Sequence, residues 1–391
     1  MSKINNARFD ALLRCIREIY GDGFIPLHRP VFSDLEKKYT SDAIDSNFVS
    51  SVGSRVDEFE AQLASFTGAS YAVATTNGTA ALHTALALLG VRRNCEVLSQ
   101  ALTFTATANA IVYCDAEPIF IDVDTRTLGM CPLHLTNWLD QNARKEKNRT
   151  INRNTGKQIV ACLPMHTFGL PCHIQEIAEV CDAWGIHLIE DAAESLGSKV
   201  GETHTGLFGD IGTFSFNGNK VITTGGGGML VTNDEELAVR AKHLTTTAKV
   251  AHPWHFVHDQ VGYNYRMPNL NAALGCAQIE KIEFILEIKR SVAKRYRDFC
   301  AVNGWQFIDS RPGCTANYWL NALRLDSLEE RDEFLRYTNE RDIMTRPTWT
   351  LMSELTHFRH CQTDGLRESR KLAATVVNIP SSVPDSFVGR F

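Results

Sequence analysis

The segment from Glu190 to Gly228 constrains this chain most, because it joins two apolar strands to one lysine and a run of glycines. An apolar stretch ending at Ile189 leads directly into the carboxylate pair Glu190 and Asp191. After a polar loop the chain returns to an apolar strand, Ile211 to Phe216, followed by Lys220 and then by four consecutive glycines. The segment therefore predicts an acid and a lysine near the ends of neighbouring strands, the edge at which open α/β sheets bind ligands.

An acid and a lysine in this setting are typical of a site for an electrophilic cofactor. A lysine amine forms a Schiff base with a carbonyl, and pyridoxal phosphate (PLP) sites require an acidic partner for the pyridinium nitrogen. In the alternative interpretation, Asp191 caps a helix and Lys220 is a solvated surface lysine. The context favours the cofactor site, because Lys220 follows the strand around Ser215 within a few residues and the glycines let the backbone turn back without side chains.

Three motifs carry a resemblance to a known family: EDAAES, GDIGTFSFNGNK and TTGGGGMLVTND. Together they resemble the sugar aminotransferases of the DegT/DnrJ/EryC1/StrS family, and the resemblance extends from about Pro26 to Pro380. It implies an α/β chain with the PLP-dependent transferase fold type I, as in aspartate aminotransferase. That fold has a large domain with a mainly parallel sheet and a smaller α+β C-terminal domain.

The length and the element pattern indicate two packed subdomains, because 391 residues are too many for one simple core. Strands alternate with helices as far as Lys242, which favours a parallel sheet covered on both faces. The predicted division is an N-terminal helical arm at 1–50, a large PLP-binding domain at 51–265, and a linking helix with a small C-terminal domain at 266–391. Three finer predictions are a solvated basic loop at 143–157, a long helical region at 269–299 and a strand at 318–325.

Composition excludes several classes of partner. The net charge of −5 offers no electrostatic attraction to nucleic acid or to an anionic membrane. No apolar run reaches the roughly 18 to 20 residues that span a bilayer. The 11 cysteines are an odd number without C-x-x-C pairs, which indicates reduced thiols in a cytoplasmic protein. His252, His255 and His258 recur every third residue, but no acidic or cysteine ligands accompany them, so we predict no metal site.

The segment TNGTAALHTALALLG predicts a strand, a glycine turn and a helix from Gly78 to about Leu89. The free N–H groups and dipole of such a helix start form a phosphate site. The resemblance implies that Gly78, Thr79 and Ser215 hold the PLP phosphate, and that Asn264 reaches the phosphate in the neighbouring subunit of a homodimer. It also implies that Phe104 lies over the PLP ring; without the resemblance, Phe104 reads as a core residue.

Several residues are predicted to face the substrate. The resemblance places Ser51 in a loop over the site and assigns Arg346 and Trp349, in TRPTWT, to substrate. His166 matches the family's H-x-x-G element. It either lines the substrate side of the pocket or has a structural role. His28 and Arg29, in FIPLHRPVF, contact an anionic substrate or belong to an arm along the surface.

The resemblance also implies the chemistry. Lys220 forms the Schiff base with PLP and then transfers protons as general base and acid, while Asp191 keeps the pyridine nitrogen protonated. Glu194 stands where many members have Gln or His near the ring hydroxyl. The family includes dehydratases with His in place of the lysine, so Lys220 favours amino transfer.

The implied acceptor is a UDP-4-keto-6-deoxy-HexNAc sugar, with L-glutamate as donor and a surface glycan as the destination. Two alternatives stay open. One is an aminotransferase of the same fold acting on a dTDP-keto sugar or a keto-octulosonate. The other is a non-catalytic relative that keeps the fold for binding or regulation.

Overall fold

The computed structural model describes residues 3–387, with side chains from residue 7 onward. The predicted N-terminal arm and C-terminal domain also include residues 1, 2 and 388–391, which lie outside this range. The helices are α1 Lys3–Tyr20, α2 Asp34–Asp45, α3 Ser54–Thr67, α4 Gly78–Leu88, α5 Thr105–Tyr113, α6 Pro132–Asn142, α7 Ile174–Trp184, α8 Glu235–Thr245, α9 Asn269–Ile279, α10 Ile282–Asn303, α11 Leu328–Asn339 and α12 Arg367–Thr375.

The strands form three sheets. They are β1 Tyr71–Thr75, β2 Cys95–Gln100, β3 Glu117–Ile121, β4 Ala143–Glu146, β5 Arg149–Asn152, β6 Gln158–Leu163, β7 His187–Asp191, β8 Lys199–Val200, β9 Thr203–His204, β10 Ile211–Ser215, β11 Gly228–Thr232, β12 Gln306–Ile308, β13 Cys314–Thr315, β14 Asn321–Arg324, β15 Arg346–Pro347 and β16 Val376–Ile379.

The largest sheet has nine strands and runs β1-β11-β10-β7-β6-β2-β3, with β5 on β6 and β4 on β5. The pairs from β10 across to β3 are parallel, while β11 is antiparallel to both β1 and β10. Strands β2, β6 and β11 are almost entirely buried, because helices cover both faces of the sheet. The sheet is therefore mixed, with a parallel centre from β10 to β3 and antiparallel pairs at β11 and at the β4 and β5 strands, and it fits the predicted α/β fold.

The direction of the strands gathers the chemistry at one edge. Because β11 is antiparallel to both of its neighbours, β1, β10 and β7 run the same way and end together. Asp191 ends β7, Ser215 ends β10, and α4 begins just after β1. The three predicted site segments therefore meet at the carboxyl edge of the sheet.

The C-terminal part forms an antiparallel sheet in the order β12-β14-β16-β15. Helix α1 packs beside this part: Arg8 donates to Glu330 at 2.8 Å and Tyr337 donates to Asp10 at 2.7 Å. The predicted boundaries at residues 50 and 265 remain predictions.

The structure corrects three details of the predicted elements. The stretch 143–157 is a hairpin, β4 and β5, because Thr150 and Asn152 point inward and bond Trp184 and Glu96. The long helical region breaks at Glu280 and Lys281 into α9 and α10. The strand predicted from Tyr318 starts at Asn321, because Tyr318 has a φ of 48°, which no regular strand accommodates.

Candidate functional site

A cavity of about 350 Å³ lies at the carboxyl edge of the large sheet. It brings together most of the residues that the sequence analysis assigned to the cofactor, although they come from five separate segments of the chain. The predicted residues in its lining are Gly78, Thr79, Phe104, Asp191, Glu194, Ser215, Lys220 and Trp349. The cavity also contains Trp319, Asn217 and Asn219, which the sequence analysis did not select.

The N-terminus of α4 forms one end of the cavity. Asn77 caps the helix by accepting a hydrogen bond from the N–H of Ala80 at 2.8 Å. The N–H groups of Gly78 and Thr79, in the first turn, have no partner within the helix. A Cβ on Gly78 would lie 2.9 Å from the Cβ of Ser215, so this position requires glycine. The helix start and the hydroxyls of Thr79 and Ser215 together form a cradle of the kind that holds an anion.

Asp191 is 3% exposed at the end of β7. Its Oδ2 accepts a hydrogen bond from the Thr107 hydroxyl at 2.7 Å, and its Oδ1 accepts one from the N–H of Ala193 at 3.2 Å. Burial raises the pKa of Asp191, while these hydrogen bonds and the nearby Lys220 charge oppose the rise. The carboxylate is therefore fixed in position and desolvated, which strengthens its interaction with a cationic partner.

Thr107 is a site residue that the sequence analysis missed. Its hydroxyl also lies 2.7 Å from that of Thr103, one turn earlier, so two threonines in ALTFTATAN orient the Asp191 carboxylate. The signal available in the sequence was the four-residue spacing of the Thr103 and Thr107 hydroxyls at the start of α5.

Lys220 follows β10 and extends along the cavity floor, with its side chain 13% exposed. Its Nζ lies 3.1 Å from Oε1 of Glu194 and 3.9 Å from the centre of the Trp319 ring. The indole N–H of Trp319 donates to the carbonyl of Asn219 at 2.6 Å, which ties the ring to the residue before the lysine. Lys220 is thus held between a carboxyl group and an aromatic face.

Glu194 is almost completely buried, with each carboxyl oxygen engaged. Oε2 accepts a hydrogen bond from the N–H of Phe168 at 2.9 Å, and Oε1 faces Lys220. Burial raises the pKa of Glu194 to about 7, against the opposing attraction of the Lys220 charge. Its protonation state therefore changes near neutral pH.

Aromatic side chains form the outer wall of the cavity. Phe104 is 49% exposed and precedes α5, so it belongs to the cavity and not to the core. The ring of Trp349 lies 6.2 Å from that of Phe104 and 5.1 Å from that of Phe168, measured between centroids. This wall offers flat apolar surfaces for a ring-shaped ligand.

His166 lies outside the cavity and is fully buried. Its Nε2 is 2.9 Å from the Glu190 carboxylate, and its Nδ1 accepts a hydrogen bond from the N–H of Cys172 at 3.2 Å. These contacts support the second of the two interpretations of His166, a structural histidine that links two strand ends.

The remaining predicted residues also lie outside the cavity of their own chain. Arg346 is exposed and bonds Asn339, Arg29 is exposed and pairs with Asp385, and Asn264 accepts a hydrogen bond from Arg266 at 3.0 Å. Ser51 lines a separate cavity of about 250 Å³ with Lys242 and Arg266. Their roles toward substrate or cofactor remain predictions.

His28 lies behind the cavity and contacts a buried lysine that the sequence analysis also missed. Lys289 is 1% exposed and donates to the carbonyls of Trp319 at 3.2 Å and Ser381 at 2.6 Å. Its Nζ is 3.0 Å from Nε2 of His28. Burial lowers the pKa of Lys289 to about 7, and burial together with Lys289 holds the pKa of His28 well below its usual value.

A second, larger cavity of about 640 Å³ lies near His134 and Gln362, away from every predicted site residue. Beside it, the side chains of Asp122, His134 and Asp364 converge within 4.8 Å. The Asp122 oxygens accept N–H groups of Glu368 and Ser369 at the start of α12, each at 2.7 Å. Because these oxygens cap a helix, the group serves the fold, and we assign no metal to it.

Comparisons with known proteins agree with this geometry. Residues 31–384 match the model of the DegT/DnrJ/EryC1/StrS aminotransferase family. The chain is 36% identical over 360 residues to a GDP-perosamine synthase of Vibrio cholerae, covering 91% of this chain and 94% of the relative. It is 36% identical over 327 residues to a GDP-perosamine synthase of Escherichia coli O157:H7, covering 83% of this chain and 85% of the relative.

Among solved structures, the aminotransferase TlmJ from Streptoalloteichus hindustanus superposes with a TM-score of 0.83 at 26% identity, covering 92% of this chain and 94% of that one. The predicted fold type I, the PLP cofactor and the enzyme class are thereby confirmed. No helix among residues 3–387 is long and apolar enough to cross a membrane. The chain belongs to the DegT/DnrJ/EryC1/StrS family of PLP-dependent sugar aminotransferases.

Proposed function

We propose that this chain transfers an amino group from L-glutamate to a nucleotide-linked 4-keto-6-deoxy sugar, with Lys220 as the lysine that binds PLP. The observation that carries the proposal is the meeting of Lys220, Asp191 and the α4 N-terminus in one cavity. A non-catalytic relative would have no need to keep a partly buried lysine and a desolvated carboxylate lining the same cavity.

The donor set of the cavity fits PLP. The N–H groups of α4 with Thr79 and Ser215 suit a phosphate, Asp191 suits a pyridinium nitrogen, and Lys220 suits a carbonyl. When bound, PLP supplies the electrophilic carbonyl and the electron sink of the reaction. The phosphate cradle has no room for a larger residue than Gly78.

The side chains around the cofactor position have distinct roles in this proposal. Lys220 takes and returns the proton of the reacting carbon, and Asp191 holds the proton of the ring nitrogen, oriented by Thr107. Phe104 and Trp349 line the cavity 6.2 Å apart, so Phe104 would lie against the cofactor ring and Trp349 would face the sugar. Glu194 contacts Lys220 from the buried side.

The names of the relatives favour a GDP-linked acceptor. Two proteins that are 36% identical to this chain are GDP-perosamine synthases, and perosamine is an amino sugar. We therefore place a GDP-4-keto-6-deoxy sugar first, ahead of the UDP-4-keto-6-deoxy-HexNAc predicted from the motifs. A dTDP-keto sugar and a keto-octulosonate are the remaining candidates. A relative named for spore coat polysaccharide biosynthesis, 32% identical over 283 residues, supports a surface glycan as the destination.

The acceptor is tested by loading the enzyme with the amino group and then offering each keto sugar. L-glutamate is expected to bleach the visible band of the bound cofactor, and the correct acceptor to restore it. We expect the GDP-linked sugar to restore the band fastest, with Lys220→Ala as the inactive control. Faster recovery with the UDP-linked sugar would contradict the GDP assignment and support the prediction from the motifs.

We also propose that the enzyme is a homodimer with shared sites. An exposed apolar surface on residues 249–262, here named the 250s surface, supports this: Trp254 is 71% and Phe256 80% exposed. Asn264 and Arg266 follow it directly; Asn264 is exposed and Arg266 half-buried. All 11 cysteines are free thiols, which is consistent with the predicted cytoplasmic location.

A further inference from the structure

Glu194 presents a carboxyl group to Lys220 in a place that water barely reaches. The side chain of Glu194 is 1% exposed and that of Lys220 13% exposed, and Oε1 lies 3.1 Å from Nζ. The other oxygen, Oε2, is occupied by the N–H of Phe168. One oxygen of Glu194 is therefore fixed by the backbone and the other is directed at the amine.

A lysine must lose its extra proton before it acts as a nucleophile or a base. A free lysine is an ammonium at neutral pH, because its ordinary pKa is about 10.4. The ammonium of Lys220 thus needs an acceptor within hydrogen-bond reach. Asp191 lines the same cavity, but within residues 7–387 its carboxylate accepts hydrogen bonds from Thr107 and Ala193, whereas the amine of Lys220 donates to Glu194.

We propose that Glu194 is a catalytic residue that takes the proton from the Lys220 ammonium. One N–H bond of Lys220 breaks, one O–H bond forms on Oε1, and the pair passes from opposite charges to two neutral groups. The reverse transfer restores the ion pair, so no further reactant is needed. This inference rests on the proposed function, because it takes Lys220 as the lysine that binds PLP.

Burial makes this transfer favourable, because a low-dielectric site disfavours separated charges. Burial and the neighbouring Asp191 raise the pKa of Glu194, while Lys220 and the Phe168 N–H oppose the rise, which leaves it at about 7. Three other titratable groups lie near the pair: His166, which interacts with Asp191, His28, which interacts with Lys220, and Lys289, which is 3.0 Å from His28. The pKa of His28 is well below neutral, so His28 adds no charge.

A purely structural role for Glu194 is the competing explanation. Phe168 has a φ of 58°, a left-handed conformation that is uncommon for a large side chain, and Glu194 holds its N–H. Glutamine has the same shape and retains an oxygen for that N–H, but it cannot take a proton. Glu194→Gln therefore separates the two roles.

The experiment measures how fast the apoprotein captures PLP, by the growth of visible absorption after rapid mixing between pH 6 and 9. In the wild type the rate is expected to rise through about pH 7, as the pair loses the first of its two protons, and then to level off. In Glu194→Gln the rate at pH 7.5 is expected to fall about 100-fold and to keep rising across the range. Glu194→Asp, which keeps a carboxyl group, is expected to regain the plateau.

Equal rates and equal pH profiles for wild type and Glu194→Gln would overturn the proposal. If Glu194→Gln does not fold, Glu194→Asn against Glu194→Asp repeats the comparison one methylene shorter, and equal profiles there would overturn it as well. Lys220→Ala distinguishes a failure of this inference from a failure of the proposed function. If the wild type captures PLP no better than Lys220→Ala, PLP is not bound at Lys220, and the proposed function itself is contradicted.

Discussion

Lys289 shows how this fold holds a buried charge close to its reacting lysine. Within residues 3–387 its hydrogen bonds go to two carbonyls and to His28, and none goes to a carboxylate. Its contact with Trp319 connects the arm around His28 to the ring beneath Lys220. Burial without an acid lowers the pKa of Lys289 to about 7, so the folded state holds this proton weakly.

The lowered pKa of Lys289 predicts a pH dependence of stability. Between about pH 7 and 10 the unfolded chain keeps the proton, with a pKa of about 10.4, while the folded chain releases it. The unfolded state then binds more protons, so stability rises with pH. We expect the free energy of unfolding of wild type relative to Lys289→Met to grow by up to about 1.4 kcal/mol per pH unit in this window.

Urea unfolding at several pH values measures this difference. Lys281→Met is the matched control, because Lys281 is also buried near the start of α10 but pairs with Glu36. The difference in free energy of unfolding between wild type and Lys281→Met is not expected to grow with pH in this way. A difference between wild type and Lys289→Met that stays constant from pH 6.5 to 9.5 would contradict the assignment.

The residues predictable from sequence were those next to a strand end or a glycine turn. Asp191, Ser215 and Lys220 satisfy this condition, and local pattern alone places them at the sheet edge. Thr107 and Trp319 were missed, because their contacts join positions 84 and 100 residues apart in the chain. Nothing local distinguishes Trp319 from a core tryptophan, and the spacing of Thr103 and Thr107 does not by itself indicate that Asp191 is their partner.

At the scale of elements, the four consecutive glycines that lead into β11, ending at Gly228, differ in how closely they are packed. A Cβ on Gly228 would lie 2.4 Å from the carbonyl carbon of Asn77, against the backbone that begins α4. A Cβ on Gly226 would meet nothing within 4 Å. The close packing of β11 on α4 therefore depends on Gly228, whereas Gly226 has space for a side chain.

Gly228→Ala is expected to lower the free energy of unfolding by about 1–3 kcal/mol, because the backbone of α4 must shift to accommodate the methyl group. PLP affinity is expected to fall with it, since the same shift distorts the phosphate cradle. Gly226→Ala is the control, with an expected change within about 0.5 kcal/mol. Urea unfolding and a PLP titration measure both effects, and equal behaviour of the two variants would contradict this packing.

Helices and strands with strong apolar periodicity were predicted correctly from the sequence, whereas elements that depend on tertiary contacts were not. The strands β7 and β10 and helix α4 lie close to their predicted bounds. The hairpin β4–β5 was missed because its sequence is polar and basic, and only contacts with β6 and Trp184 fix it. The break between α9 and α10 was missed because no proline or glycine marks it.

At the scale of the whole molecule, the 250s surface gives the reason to expect a dimer. Five apolar side chains are exposed within it: Val250, Trp254, Phe256, Val257 and Val261. Exposed apolar surface of this kind marks an association site. We expect the wild type to sediment as a dimer and Trp254→Ser/Phe256→Ser to sediment as a monomer at the same concentration. A variant that stays dimeric would show that the contact lies elsewhere.

The central claim is that Lys220 binds PLP, and its most direct test is to locate the cofactor on the chain. The protein is loaded with PLP, reduced with borohydride, digested and analysed by mass spectrometry. We predict that the pyridoxyl group lies on the peptide containing Lys220 and is lost in Lys220→Ala. A pyridoxyl group on another lysine, such as Lys289, or on none would contradict the account.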